Sequence, residues 1–168
     1  MAPGARQPDR GTVAGAGGRR DVQPASDRAP RLGDLRRSAF AAVAAGGIAL
    51  IVYLATLNPT LPPGDSGDLI TAASTLGIAH PPGYPLFAMI GHLFTLLPFG
   101  SPAYRVNLMS AVLDAAAVGL VAALIYRVAV ASAARDEKSA DPTKLAAIAG
   151  LIGALFLAFA TEFWSYSL

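Results

Sequence analysis

The chain has 168 residues, of which 54% are hydrophobic and only 14% charged, and its mean hydropathy is +0.48. Because a soluble domain carries about 25% charged residues, this composition indicates a membrane protein. The net charge is +2, and the absence of cysteine excludes disulfides, thiolate nucleophiles and cysteine metal sites.

The first segment, residues 1–37, is rich in Gly, Ala, Pro and Arg and has few large apolar side chains. Such a segment cannot bury enough surface to offset its ordering entropy, so we predict a disordered basic arm. It also contains acids and no aromatic residue, which argues against nucleic-acid binding. By the positive-inside rule, its many arginines place the arm in the cytoplasm.

Three membrane spans are predicted, at about 38–57, 103–131 and 144–161. The first is uncharged over a length close to the roughly 20 residues that a spanning helix needs. It starts too late and runs too long for a cleavable signal peptide, so we predict an uncleaved anchor. The third span is followed by three aromatic residues that suit the outer membrane interface: Phe163, Trp164 and Tyr166.

The loop 58–102 would then lie on the outer face. We predict two short helices in it, at about 67–76 and 84–97, and the second is too short to span and is expected to lie in the interface. The sequence therefore predicts an all-α integral membrane protein with three transmembrane and two interfacial helices. Because the chain stops just after the third span, we expect it to be a fragment of a larger multi-pass protein.

Asp65 and Asp68 are the main catalytic candidates, because carboxylates beside a membrane are costly unless they act or face water. Asp65 lies between Gly64 and Ser66, where there is space around its carboxylate, and is the better general-base candidate. Asp68 would then orient or bind the substrate. The alternative for each acid is capping of a short helix.

Other polar residues are open to two interpretations. His80 could shuttle protons or contact a phosphate, or it could bond the backbone of the His-Pro-Pro turn. Arg105 could hold a lipid-linked phosphate or reach lipid headgroups. His92 is interpreted as an interfacial side chain, and Asp114 must face protein or water but has no assigned role. With two histidines twelve residues apart, no transition-metal site is expected.

Four runs of the sequence resemble a family of bacterial multi-pass proteins related to the eukaryotic O-mannosyltransferase that acts on plexin-type domains. The runs are PGDSGDLITAA at 63–73, LGIAHPPGYPL at 76–86, GHLF at 91–94 and YRVNLMSA at 104–111. The resemblance extends over about residues 40–168. It implies the N-terminal part of a GT-C-like glycosyltransferase in the bacterial inner membrane.

The resemblance also implies a donor and a set of site residues. The donor would be a polyprenyl-phosphate sugar, with no other cofactor and an acceptor hydroxyl on the outer face. Asp65 matches the acid of the first outer loop, and Asp68 stands where the family often has glutamate. Substrate-binding residues would be His80, Tyr84, Arg105 and Asn107. The alternative function is a non-enzymatic membrane scaffold or a transporter fragment.

Overall fold

The structure is a computed structural model that describes residues 32–133 and 142–166. Within these two ranges it contains six helices and no strand, which confirms the all-α prediction. The helices are α1 (Leu32–Thr56), α2 (Ser66–Thr75), α3 (Pro85–Thr95), α4 (Pro102–Ala133), α5 (Pro142–Ala158) and α6 (Thr161–Tyr166).

Helices α1 and α4, of 25 and 32 residues, are each long and apolar enough to cross a membrane. They correspond to the first two predicted spans. Helix α5 has 17 residues and is shorter than the predicted third span, because the chain turns at Phe159 and Ala160 before α6 begins. Most of the predicted arm and the basic link before α5 lie outside the described residues.

Helix α1 begins at Leu32, inside the segment that the sequence assigned to the arm. Asp34 lies in its first turn, where the helix dipole favours a carboxylate. Arg36 and Arg37 are consequently helical residues that directly precede the uncharged part of α1.

Helices α1 and α4 pack closely because small residues meet at their crossing. A Cβ atom at Gly46 would lie 2.8 Å from the backbone oxygen of Ala115, and one at Gly119 would lie 2.8 Å from that of Ala42. On each helix the two small residues are four positions apart, Ala42 and Gly46 on α1 and Ala115 and Gly119 on α4. Small residues at this spacing let membrane helices approach each other closely. The two glycines therefore fix the distance between the two longest helices.

Helix α5 completes a three-helix core, and Tyr53 ties it to α1. The buried Tyr53 hydroxyl donates a hydrogen bond of 2.8 Å to the carbonyl of Ala158. The outward faces of the three helices carry large exposed apolar side chains, among them Phe40, Leu120 and Phe156. A surface of this kind suits a lipid environment.

The two short helices predicted in the loop are present and pack beside the first turns of α4. Their contact is close, since a Cβ atom at Gly91 of α3 would lie 2.7 Å from Cβ of Ala73 of α2. Together with α4 they bury a second apolar cluster: Ile70, Ala73, Val106 and Met109. This packing holds the turns that flank α2 at one end of the long helices.

Candidate functional site

Asp65, Asp68 and His80 come together beside the first turn of α2. Asp65 directly precedes the helix and Asp68 lies in its first turn, whereas His80 follows the last helical residue, Thr75, by five positions. Leu76 adopts the left-handed conformation, with φ 52°, and reverses the direction of the chain. The five residues from there to His80, at about 3.3 Å each, are long enough to return along the helix to Asp68.

One oxygen of Asp68 accepts two hydrogen bonds from His80. Oδ2 lies 2.9 Å from the backbone nitrogen and 2.8 Å from Nδ1 of the imidazole. Since an ionised carboxylate can only accept, Nδ1 is the donor in this contact and Nε2 is the outward nitrogen of the ring. The hydrogen bonds from the His80 backbone and side chain lower the pKa of Asp68 below its ordinary value.

Asp65 faces the other side of the same imidazole. Its Oδ2 lies 3.7 Å from Nε2 of His80, and its side chain is 77% exposed. Although Asp65 occupies the N-cap position of α2, its side chain makes no capping hydrogen bond. The capping alternative therefore fails to explain this carboxylate, which stays open to an incoming hydroxyl group.

Tyr84 borders the site on the side of the His-Pro-Pro turn. Its ring meets the imidazole of His80 edge to face, with ring centroids 5.6 Å apart. The turn contains a cis Pro81–Pro82 bond, and Tyr84, which directly precedes α3, has φ 44°. An exposed aromatic face beside a carboxylate is a surface on which a sugar ring can pack.

Arg105 and Asn107 instead hold the loop to the start of α4. The guanidinium of Arg105 donates to the carbonyls of Phe99 and Gly100, at 2.6 and 2.9 Å, and to that of Thr95. It thereby satisfies the last carbonyl group of α3 and two carbonyl groups of the segment that leads to α4. Its contact with a phosphate stays a prediction.

Asn107 fixes the start of the loop. It is buried, and its Nδ2 donates two hydrogen bonds of 2.9 Å, to the carbonyls of Asn58 and Thr60. Because a buried amide needs such partners, Asn107 joins the exit of α1 to the first turns of α4. Its contact with substrate likewise stays a prediction.

Two further polar residues lie apart from the site. Nδ1 of His92 lies 3.0 Å from the carbonyl of Ala73, so this histidine joins α3 to α2. Asp114 is half-buried in α4. Among the described residues, no three histidine or acidic side chains are arranged to hold a metal ion.

Two open cavities lie outside the acidic site. The larger, of about 580 Å³, is almost wholly apolar. Its lining comes from α5 and from the turn into α6: Ile152, Leu155, Phe156, Phe159, Ala160 and Thr161. The smaller, of about 430 Å³, lies between α1 and α5 and includes Arg36 and Arg37.

Sequence reasoning found the acids and the histidine but not their direct pairing. Asp68 and His80 are twelve residues apart, and only the reversal at Leu76 brings them together. The sequence signal that could have indicated this pairing was the short length of α2, whose ten residues separate the polar segments that contain Asp65 and His80. The carbonyl partners of Arg105 left no comparable signal in the sequence.

Comparison with known proteins gave a family and several relatives, two of which are described below. The family model described as Protein O-mannosyl-transferase TMEM260 N-terminal domain matches residues 65–168, a range that includes all six predicted site residues. The chain is 51% identical over 108 residues to Protein O-mannosyl-transferase TMEM260 of Mus musculus, covering 62% of the chain and 14% of the relative. It is 37% identical over 79 residues to Protein O-mannosyl-transferase tmem260 of Dictyostelium discoideum, covering 45% and 10%. No solved structure matches.

Proposed function

Because this chain belongs to the family of the Protein O-mannosyl-transferase TMEM260 N-terminal domain, we propose that it forms the N-terminal part of a membrane glycosyltransferase. The donor is a polyprenyl-phosphate sugar, with mannose the first candidate from the relatives' names. The acceptor is a hydroxyl group. The chain spans only 14% and 10% of the lengths of these two relatives.

A membrane location is supported by α1 and α4, which are long enough to span, and by the apolar side chains on their outward faces. We propose that α5 and the residues after it form a third span within a GT-C-like arrangement. The arginines at the start of α1 favour a cytoplasmic N-terminus, here in a bacterial inner membrane. The acidic site at the opposite end of α1 then faces outward.

The observation that carries the proposal is the exposed, uncapped carboxylate of Asp65, whose Oδ2 lies 3.7 Å from Nε2 of His80. These two atoms are too close for a hydroxyl group to fit between them, but a hydroxyl group in the open gap beside them can donate its proton to the carboxylate, which is what a general base requires. Asp68 is already engaged by His80 and has a lowered pKa, which makes it the weaker base. We therefore assign Asp65 the base role and Asp68 the positioning of His80.

The reaction balances without a further reactant. The acceptor oxygen bonds to the anomeric carbon of the sugar as Asp65 takes the hydroxyl proton. The bond between that carbon and the phosphate oxygen breaks, and its electron pair leaves with the polyprenyl phosphate. A phosphate is a good leaving group, so cationic donors that stabilise its charge suffice and an acid is not required.

The remaining site residues have supporting parts in this proposal. His80 and Tyr84 line the gap and contact the sugar or the acceptor, as their exposure and position beside Asp65 allow. Arg105 and Asn107 keep the loop on α4 through their backbone partners, and Arg105 is the cation that we propose for the departing phosphate.

The test is a transfer assay on the full-length gene product in membranes. Polyprenyl-phosphate mannose with a radiolabelled sugar is supplied together with acceptor proteins, and membranes without the gene product are the control. We expect label to move to protein hydroxyl groups only when the gene product is present. Unconsumed donor across a panel of polyprenyl-phosphate sugars would favour the scaffold or transporter alternative.

A further inference from the structure

A second polar feature lies at the other end of α1, far from the acidic site. The cleft of about 430 Å³ between α1 and α5 is lined by Gly33, Arg36, Arg37, Phe40 and Ala147. With a rise of 1.5 Å per residue, the 25 residues of α1 separate its two ends by roughly 37 Å. The cleft is therefore a separate feature and takes no part in the proposed transfer.

The rim of the cleft is positively charged. Arg36 and Arg37 are exposed, and within the described residues neither forms an ion pair with an acid. Lys144 lies one turn before Ala147 on α5, on the same side of that helix, and is also exposed. Asp34 is the one acid among the described residues of this end, so the net charge of the described residues here is positive.

The surface below this rim is apolar. Phe40 and Val43 on α1 are 75% and 74% exposed, and Leu145 and Ile148 on α5 are 71% and 54% exposed. Gly33 contributes open space, since a Cβ atom there would meet nothing within 4 Å. Two guanidinium groups above a lateral apolar groove match a molecule that has an anionic head and hydrocarbon chains.

We propose that this cleft binds the phosphate headgroup of an anionic phospholipid, with its acyl chains lying along Phe40 and Ile148. The inference rests on the membrane location in the proposed function but not on the transfer reaction. Guanidinium groups suit this ligand because they can donate two parallel hydrogen bonds to phosphate oxygens. A lipid held there fixes the start of α1 against α5 at the headgroup level.

Native mass spectrometry of the chain in detergent micelles tests the proposal without any transfer reaction. Phosphatidylglycerol and the zwitterionic phosphatidylcholine are added in separate titrations. Each arginine near an anionic lipid contributes on the order of fivefold in affinity, so R36Q/R37Q should weaken phosphatidylglycerol binding about thirtyfold. Arg127→Gln removes an exposed arginine of α4 that does not line the cleft. It is the control for loss of a single arginine and should bind like the unmodified chain.

A second variant tests the cleft without changing its charge. Gly33→Leu fills the open space and improves helix propensity, so the fold should be kept while binding of phosphatidylglycerol falls. Equal binding of the two lipids, or equal losses in R36Q/R37Q and Arg127→Gln, would overturn the proposal. Full competition by inorganic phosphate at lipid-equivalent concentration would also overturn it, since the site would then recognise phosphate alone.

Discussion

A single carboxylate oxygen, Oδ2 of Asp68, accepts hydrogen bonds from both the backbone nitrogen and Nδ1 of His80. A residue in the first turn of α2 thereby sets the tautomer of a histidine that follows the helix. The bond to Nδ1 leaves Nε2 facing Asp65, and this arrangement separates the parts that the two acids play.

The first prediction concerns this tautomer. In Asp68→Ala the acceptor is lost, so the fixed Nδ1–H form of His80 should give way to a mixture of tautomers, and transfer should fall by about tenfold or more. Asp68→Glu keeps a carboxylate and should partly restore both the Nδ1–H tautomer of His80 and the transfer rate. Nitrogen NMR of the imidazole rings measures the tautomer directly.

His92 serves as the internal control for that measurement, because the chain has only two histidines. Its Nδ1 faces the carbonyl of Ala73 and should keep its signal in every Asp68 variant. An unchanged His80 signal in Asp68→Ala would contradict the positioning role.

The second prediction follows from the lowered pKa of Asp68. Because the pKa of Asp68 is depressed in the folded state, its carboxylate stabilises the fold at pH values above 3.8, its ordinary pKa. This stabilisation is lost as the pH falls through the lower pKa of the folded state. The backbone N–H of His80 should therefore lose protection from hydrogen exchange as the pH is lowered below 3.8. After correction for intrinsic exchange, the Leu69 amide, which bonds the carbonyl of Asp65, should show no such step. Parallel loss at both amides would refute the assignment.

The third prediction tests the crossing of α1 and α4. Gly46→Ala places a Cβ atom 2.8 Å from the backbone oxygen of Ala115, so we expect a loss of about 1–3 kcal/mol in the free energy of unfolding. Gly47→Ala is the matched control, because a Cβ atom there meets nothing within 4 Å. The control should be neutral or slightly stabilising. Unfolding in detergent micelles gives both values, and equal effects would disprove the close crossing.

The fourth prediction compares two buried tyrosines. Tyr53→Phe removes the hydroxyl that bonds the carbonyl of Ala158 and should cost about 1 kcal/mol in unfolding free energy. The buried hydroxyl of Tyr126 has no hydrogen-bond partner in the described part of the chain, so Tyr126→Phe should be neutral or stabilising. A larger loss of unfolding free energy in Tyr126→Phe than in Tyr53→Phe would show that the hydrogen bond from Tyr53 to Ala158 is not formed.

The long helices could be predicted because their causes are local. The uncharged run of α1 and the prolines at the starts of α3 and α4 are visible in the sequence, and the predicted bounds fall within a few residues of the observed ones, except at Leu32. Leu32 begins α1 early because Asp34 and the two following arginines extend the helix through a polar segment, which hydropathy alone does not detect.

The site was only partly predictable because its geometry depends on contacts between distant residues. The types of Asp65, Asp68 and His80 indicated chemistry, but the role of each acid depends on which one contacts the imidazole. That choice follows from the left-handed Leu76 and from the packing of Gly91 on Ala73, which places α3 beside α2. A pattern of residue types does not contain either fact.

The most direct test of the account is Asp65→Asn in the full-length gene product, with Asp34→Asn at the far end of α1 as the matched control. The amide keeps the shape of the side chain but cannot take a proton, so transfer from the polyprenyl-phosphate sugar should fall by at least about a hundredfold, with insertion into the membrane unchanged. Asp34→Asn should transfer at the unmodified rate. Transfer by Asp65→Asn at a rate equal to that of Asp34→Asn would contradict the assignment of Asp65 as the base.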